Sequence, residues 1–267
     1  MPQSGPTPML EGKTVLVAGV GKGLGREIVE VAFREGARVV LGARTFEVVE
    51  DIANQLDDTR NRTLPVRLDV SDREACAGFC AAAVEAYGWI DVLVNLAALD
   101  TVFGGVEGAN WADWHKMIEI NLFGSLYMIE AALPHFPAHG ASIVLIGSQT
   151  MFDPPASMPQ AGYAASKGAM LGAMGHLTHE LGRRKIRINN VAPGWMWGPP
   201  VQAYVNWTAK TKGISPEEAL AELTKTMPLG EMATDGDVAE AVVFLASDRA
   251  HGITGQSLLV NAGEYMH

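Results

Sequence analysis

VLVAGVGKGLGREI, residues 15–28, runs from an apolar β-branched stretch into a helix-forming one. Gly19, Gly23 and Gly25 stand in a GxxxGxG spacing, with Gly21, Lys22 and Leu24 among them. Glycines here permit a tight turn and a close backbone approach, so a pyrophosphate can rest on the N–H groups that open the helix. After a first strand and before a helix, this turn predicts a dinucleotide site; alone, the same glycines would mark an ordinary turn.

The rest of the chain repeats the strand-then-helix rhythm. Apolar runs at 14–19, 38–42, 64–68, 90–95, 142–147, 186–192 and 257–261 read as strands. Amphipathic patterns near 24–36, 46–57, 72–87, 111–136, 161–183 and 235–247 read as helices. Continuous apolar strands separated by helices predict a doubly wound, parallel, seven-stranded Rossmann-type α/β sheet with helices on both faces. A single domain is expected over 1–267, with an N-terminal extension at 1–10. Residues 194–230 break the rhythm with Pro, Gly, Trp and Met and no strand, and are expected to form a substrate-binding lid.

The chain has 267 residues, 48% of them hydrophobic, enough for a sizeable core. Its net charge of −10 argues against a nucleic-acid partner. No apolar run has the length of a membrane span, and no signal pattern opens the chain, so a cytoplasmic protein is expected. Cys76 and Cys80, spaced i, i+4, read as two small core residues. His176 and His179 have no evident third partner, so no metal site is expected.

Dinucleotide sites usually end the second strand on an acid that holds the ribose 2′-OH. Here that strand ends on Ala43 and Arg44. A guanidinium suits a 2′-phosphate, and Lys22 adds a second positive charge. The reading therefore favours NADP(H), with NAD(H) as the alternative if both charges simply face water. Asp69, closing the third strand, is read two ways: as an acceptor for the adenine amino group, or, with Ser71, as a cap of the next helix.

GYAASKGAM, residues 162–170, places Tyr163 and Lys167 on one helical face. Ser148 lies just past a strand end, where α/β sheets carry ligand groups. Carbonyl reduction needs a proton donor for the oxygen, and an ammonium beside a phenol lowers its pKa toward working pH. Without the glycine turn, a buried Tyr and a solvated Lys would be the simpler reading.

Taken in order, the glycine turn, Asp69, NLAA at 95–98, Asn121, Ser148, Tyr163 with Lys167, and Pro193–Gly194 resemble the short-chain dehydrogenase/reductase family in its compact form, over roughly residues 10–263. The resemblance implies Tyr163 as general acid/base and Ser148 as the group orienting the substrate carbonyl. It implies that Lys167 lowers the tyrosine pKa and binds the nicotinamide ribose, and that Asn121 supports a water-linked relay through Lys167. Asn95 would steady the sheet and line the cofactor site. Leu24, Val70, Ala97, Pro193 and Gly194 complete the implied cofactor contacts. The chain departs from the family pattern at Ala18, Leu96, Ala98 and Gly198. Gly198 stands where a threonine often meets the nicotinamide carboxamide, and Thr208 or Thr211 are the candidate substitutes.

Met151, Phe152, Trp195, Met196 and Trp197 surround these positions in sequence, joined by Met158, Val201, Tyr204 and Trp207. They suggest a bulky hydrophobic secondary alcohol or ketone as substrate; the alternative is that they pack the lid or an interface. Gly168, Gly172 and Gly175 suggest close approach of another helix, and the resemblance implies a homodimer or homotetramer. The competing functional reading is a non-catalytic dinucleotide sensor on the same fold. The retained Ser148, Tyr163, Lys167 and Asn121 favour an NADP(H)-dependent oxidoreductase.

Overall fold

Alternate residues of the first strand enter two different cores. Val15 and Val17 join one cluster, and Leu16 and Ala18 the other. The same alternation recurs at Val92, Leu93 and Val94, and at Ile143, Val144, Leu145 and Ile146. A strand buried on both faces has no polar side, which is why these segments read as unbroken apolar runs. Each buried Val, Leu or Ile among them contributes about 1.5–3 kcal/mol.

The computed structural model describes residues 7–155 and 158–266; residues 1–6 of the expected N-terminal extension, Ala156, Ser157 and His267 lie outside the described residues. In chain order come β1 (Thr14–Ala18), α1 (Leu24–Arg34), β2 (Arg38–Ala43), α2 (Phe46–Leu56), β3 (Thr63–Arg67), α3 (Arg73–Tyr87) and β4 (Val92–Asn95). Then follow α4 (Trp111–Ile118), a π-helical turn (Glu119–Phe123), α5 (Gly124–Ala132), β5 (Ala141–Ile146), α6 (Ala161–Gly182) and β6 (Ile186–Pro193). The chain continues with β7 (Met196–Trp197), α7 (Pro199–Lys212), α8 (Pro216–Thr224), β8 (Ala233–Thr234), α9 (Asp235–Ala246) and β9 (Ser257–Val260).

The seven-stranded sheet is parallel, in the order β3-β2-β1-β4-β5-β6-β9. The order reverses between β1 and β4, where Ala18 pairs with Asn95, so a crevice opens at the carboxyl ends of those two strands. Helices α1, α2 and α9 cover one face, and α3, α5 and α6 the other. Cys76 and Cys80 are fully buried in the second cluster, and burial pushes their thiols up to about 11 and about 12. They remain neutral thiols within the core.

The 194–230 segment differs from its reading. It contains a two-residue strand, β7, paired with β8, where no strand was expected. Its bulk is the helix pair α7–α8, which shares a small core of Val205, Ala209 and Ala219. Pro199 and Pro200 open α7 and Gly213 ends it in a left-handed conformation at φ +67°. Ser215 and Glu218 cap α8 reciprocally, at 3.1 and 2.8 Å. Among the described residues no helix is long and apolar enough to cross a membrane.

Candidate active site

The crevice beside β1 holds a groove of about 320 Å³ lined by Gly19, Gly21, Lys22, Arg44, Asp69, Val70 and Ala97, among others. The sequence singled out each of these seven, and the fold brings them to one surface. Gly19 has φ +104°, and a Cβ there would stand 2.3 Å from the Ala97 nitrogen. Gly25 is also closed to a side chain, though less tightly: its Cβ would lie 2.8 Å from the Val20 Cα. At Gly21 a Cβ would meet nothing within 4 Å. Two glycines thus close the turn onto the sheet, and the third leaves an open cradle of the kind a diphosphate fills.

Gly19→Ala is expected to cost about 3 kcal/mol or more, through both its backbone angle and the collision with Ala97. Gly21→Ala should leave the melting temperature unchanged. Thermal denaturation of the two variants checks this; equal melting temperatures would mean that the turn is not held as described.

Asp69 Oδ1 accepts from the Ser71 N–H at 3.0 Å and from its hydroxyl at 2.7 Å. The Ser71 hydroxyl, above all, holds the Asp69 carboxyl below its usual range, and Arg44 and Lys116 add to this. The helix cap read for Asp69 or Ser71 belongs instead to Asp72, which accepts from the Glu74 and Ala75 N–H groups. Asp69 makes its turn one step earlier in the chain and faces the groove. Asn95 is buried and donates to the Ser125 carbonyl at 3.0 Å, tying the end of β4 to α5. Leu24 is buried in the core rather than lining the groove. Gly23 and Gly25 lie at the mouth of α1.

Tyr163 and Lys167 occupy the first turns of α6, beside Ser148 at the end of β5. The Ser148 hydroxyl accepts from the Thr150 N–H at 3.3 Å and hydroxyl at 2.9 Å, and lies close enough to the Tyr163 phenol to favour its ionised form. Lys167 is 2% exposed, donates to the Ile146 carbonyl at 2.6 Å and lies 5.8 Å from the Tyr163 ring centroid. Burial lowers its ammonium to about 8, against the pull of Asp100. Burial, then Asp100, push the Tyr163 phenol well above its usual value, while the Ser148 hydroxyl opposes them. The lowering expected from Lys167 is not found: the lysine gives its proton to a carbonyl, and Asp100, which sequence reasoning missed, lies within electrostatic reach of both groups.

Asn121 sits in the π-helical turn and is fully buried. It brackets Leu99, accepting from its N–H at 2.7 Å and donating to its carbonyl at 3.0 Å, and donates to the Ser166 hydroxyl at 2.9 Å. Its side chain therefore fixes the segment that leads into Asp100. A π turn widens the helix at one point, and such turns gather at functional sites.

A second network lay outside the sequence reading. Buried Gln149, next to Ser148, accepts from the Asn261 side chain at 2.7 Å and donates to Glu264 at 2.9 Å. Asn261 also donates to the Tyr265 carbonyl at 2.8 Å, and Thr226 donates to Glu264 at 3.2 Å. Gly194 fits beneath this clasp, since a Cβ there would stand 2.8 Å from the Asn261 Cβ. Pro193, at the end of β6, is paired with Val260.

The predicted substrate residues part company. Phe152 stacks on Tyr265 with centroids 6.1 Å apart, and Trp195 stacks on Tyr204 at 5.4 Å. Met151 lies over Gly147. Met196, however, packs against the core, and Trp197 lines a hollow formed with α8 residues such as Leu220. The Thr211 hydroxyl donates to the Trp207 carbonyl, while the buried Thr208 hydroxyl has no hydrogen-bond partner among the described residues.

Residues 19–264 match the family model described as enoyl-(acyl carrier protein) reductase. A 2,5-dichloro-2,5-cyclohexadiene-1,4-diol dehydrogenase of Sphingobium indicum is 32% identical over 95% of this chain and 96% of its own. A 3-oxoacyl-[acyl-carrier-protein] reductase of Thermotoga maritima is 30% identical over 95% and 98%. The solved structure of a short-chain dehydrogenase/reductase from Brucella melitensis, titled glucose/ribitol dehydrogenase, superposes with a TM-score of 0.84 at 29% identity, covering 98% of this chain and all of that one.

Proposed function

The chain belongs to the short-chain dehydrogenase/reductase family of oxidoreductases, and from that premise we propose that it moves a hydride between NADP(H) and a bulky hydrophobic secondary alcohol or ketone. The observation that carries the proposal is the placing of the Ser148 hydroxyl beside the Tyr163 phenol, with the buried Lys167 ammonium 5.8 Å from that ring.

Bound on the glycine turn, NADPH would supply the hydride for reduction, or NADP⁺ accept it in oxidation. The chain's own residues manage the proton. Ser148 holds the substrate oxygen, and Tyr163, kept protonated by burial and Asp100, donates to that oxygen. The phenolate left behind is favoured by the Lys167 ammonium, whose value of about 8 lets it exchange protons near neutral pH. Asn121 holds Leu99 and Ser166 in place around this pair.

The preference for NADP(H) rests on Arg44 and Lys22 sharing the groove with no acid at the end of β2. The substrate class rests on the Phe152–Tyr265 and Trp195–Tyr204 stacks. The cyclic diol in the name of the Sphingobium relative agrees with it. The Thermotoga relative is named for an acyl-carrier substrate, but no Lys or Arg occurs between Gly194 and Ala209 to meet an acidic carrier. Gly168, Gly172 and Gly175 have no neighbour within 4 Å of a Cβ position, which leaves room for a helix of a second copy and supports a homo-oligomer.

Fluorescence titration with NADPH and NADH tests the cofactor reading. NADPH should bind more tightly, and Arg44→Asp should weaken it by about 10- to 100-fold while leaving NADH nearly unchanged. NADH binding equal to or tighter than NADPH would overturn the preference.

A further inference from the structure

The glycine turn has a neighbour from the far end of the chain. Asp235 opens α9, and its Oδ2 stands 3.1 Å from where a Cβ on Gly23 would be and 3.2 Å from where one on Gly198 would be. The carboxyl group therefore fills the seam between the mouth of α1 and the start of α7. It does not serve α9 as a cap, because Thr234 and Asp237 already form a reciprocal capping box.

The charged groups around Asp235 do not neutralise it. From α1 the facing group is Glu27, itself an acid whose carboxyl is pushed up by burial and, in part, by Asp235. Arg26 is engaged by Glu30 at 2.6 Å. On α9, Asp237 is bound to Thr234 at 2.7 Å. Lys22 lines the groove beside Arg44. The α7 side presents Gly198, followed by two prolines. Burial alone pushes the Asp235 carboxyl up.

An ionised carboxylate here would repel a pyrophosphate resting on the same turn, whereas a protonated one offers it a donor. We propose that Asp235 is a cofactor contact, its protonated carboxyl donating a hydrogen bond to a pyrophosphate oxygen on the glycine turn. This rests on the dinucleotide reading above. Between the free and bound pKa values of Asp235, binding takes up to one proton from solvent, because the pyrophosphate raises that pKa further in the complex. Affinity is constant below the free-protein pKa. It falls with rising pH between the free and bound values, by no more than about tenfold per unit, and levels off above them.

The test compares wild type with Asp235→Asn, an isosteric change that leaves the capping box intact. NADPH and 2′-phospho-ADP-ribose, which keeps the pyrophosphate but lacks nicotinamide, are titrated from about pH 4 to about pH 9, starting in the ordinary carboxylate range so that an upward shift is met from below. The 2′-phosphate titrates near pH ~6 for both proteins and cancels in their ratio. Asp235→Asn is expected to bind both probes about tenfold more tightly than wild type at the alkaline end and comparably at the acid end. Calorimetry in buffers of different ionisation enthalpy should show proton uptake by wild type only. Parallel pH profiles for the two proteins overturn the proposal. So does a loss confined to NADPH, which would make Asp235 an acceptor for the carboxamide. If wild type binds neither NADPH, NADH nor the probe, the dinucleotide reading fails first and takes this contact with it.

Discussion

Tyr163→Phe is expected to lower turnover by about three orders of magnitude while leaving NADPH affinity and the melting temperature close to wild type. The substitution deletes one oxygen. It removes the proton donor beside Ser148, but keeps the ring that packs near Lys167. Because burial and Asp100 hold the phenol protonated, reduction should run without a base-side requirement across the neutral range. Oxidation needs the phenolate, so its kcat/KM should climb with pH. Steady-state rates in both directions against one cyclic ketone–alcohol pair check this. A Tyr163→Phe protein retaining more than about a tenth of wild-type turnover would remove the phenol from the chemistry, since general acid catalysis accounts for at least about a hundredfold.

The second large effect is expected at Lys167, and it has two opposite signs. The folded-state value of about 8 lies below the ordinary 10.5. Between those values the unfolded chain keeps a proton that the folded chain has released, so stability rises with pH across that window. Below it, the folded protein bears the full cost of burying the charge, about 3 kcal/mol. Lys167→Met relieves this cost but leaves the Ile146 carbonyl unpaired, a loss of about 1 kcal/mol. The variant should therefore melt several degrees above wild type at neutral pH. That advantage should shrink above the window, where the wild-type lysine is already neutral. Turnover should drop by about a hundredfold or more, as the phenolate loses its cation. A Lys167→Met protein that melts below wild type at neutral pH would refute this account of the buried charge. Function and stability are opposed at one side chain, as strained active sites commonly require.

The strands were legible in the sequence because β-branched residues buried on both faces leave a continuous apolar signature, as in TVLVA and SIVLI. The glycine turn that lines the groove was legible because its backbone geometry demands glycine at fixed spacing. Helix α7 was harder to see. Val201, Tyr204, Val205, Thr208 and Ala209 do follow a helical period, but the run is short and set among Trp, Gly and Pro. The capping pair Ser215 and Glu218 and the left-handed Gly213 were the signals that would have found the helix pair. The Gln149–Asn261–Glu264 clasp, Asp100 and Asp235 carry no local signature. Each acquires its meaning from a partner distant in the chain, and no periodicity reports such a partner. The pKa of Tyr163 was misjudged for the same reason: Lys167 was visible at i+4, whereas burial and Asp100 were not.

The clasp at Gln149 also sets a clock on the protein's birth. Ser148, Tyr163 and Lys167 are all translated well before Asn261 and Glu264, yet Gln149 gains its side-chain partners only from those later residues. β9, which carries Asn261 into place, is also an edge strand that docks on β6. Until those residues are made the Gln149 side chain lacks both partners, so the clasp is among the last contacts the chain can close.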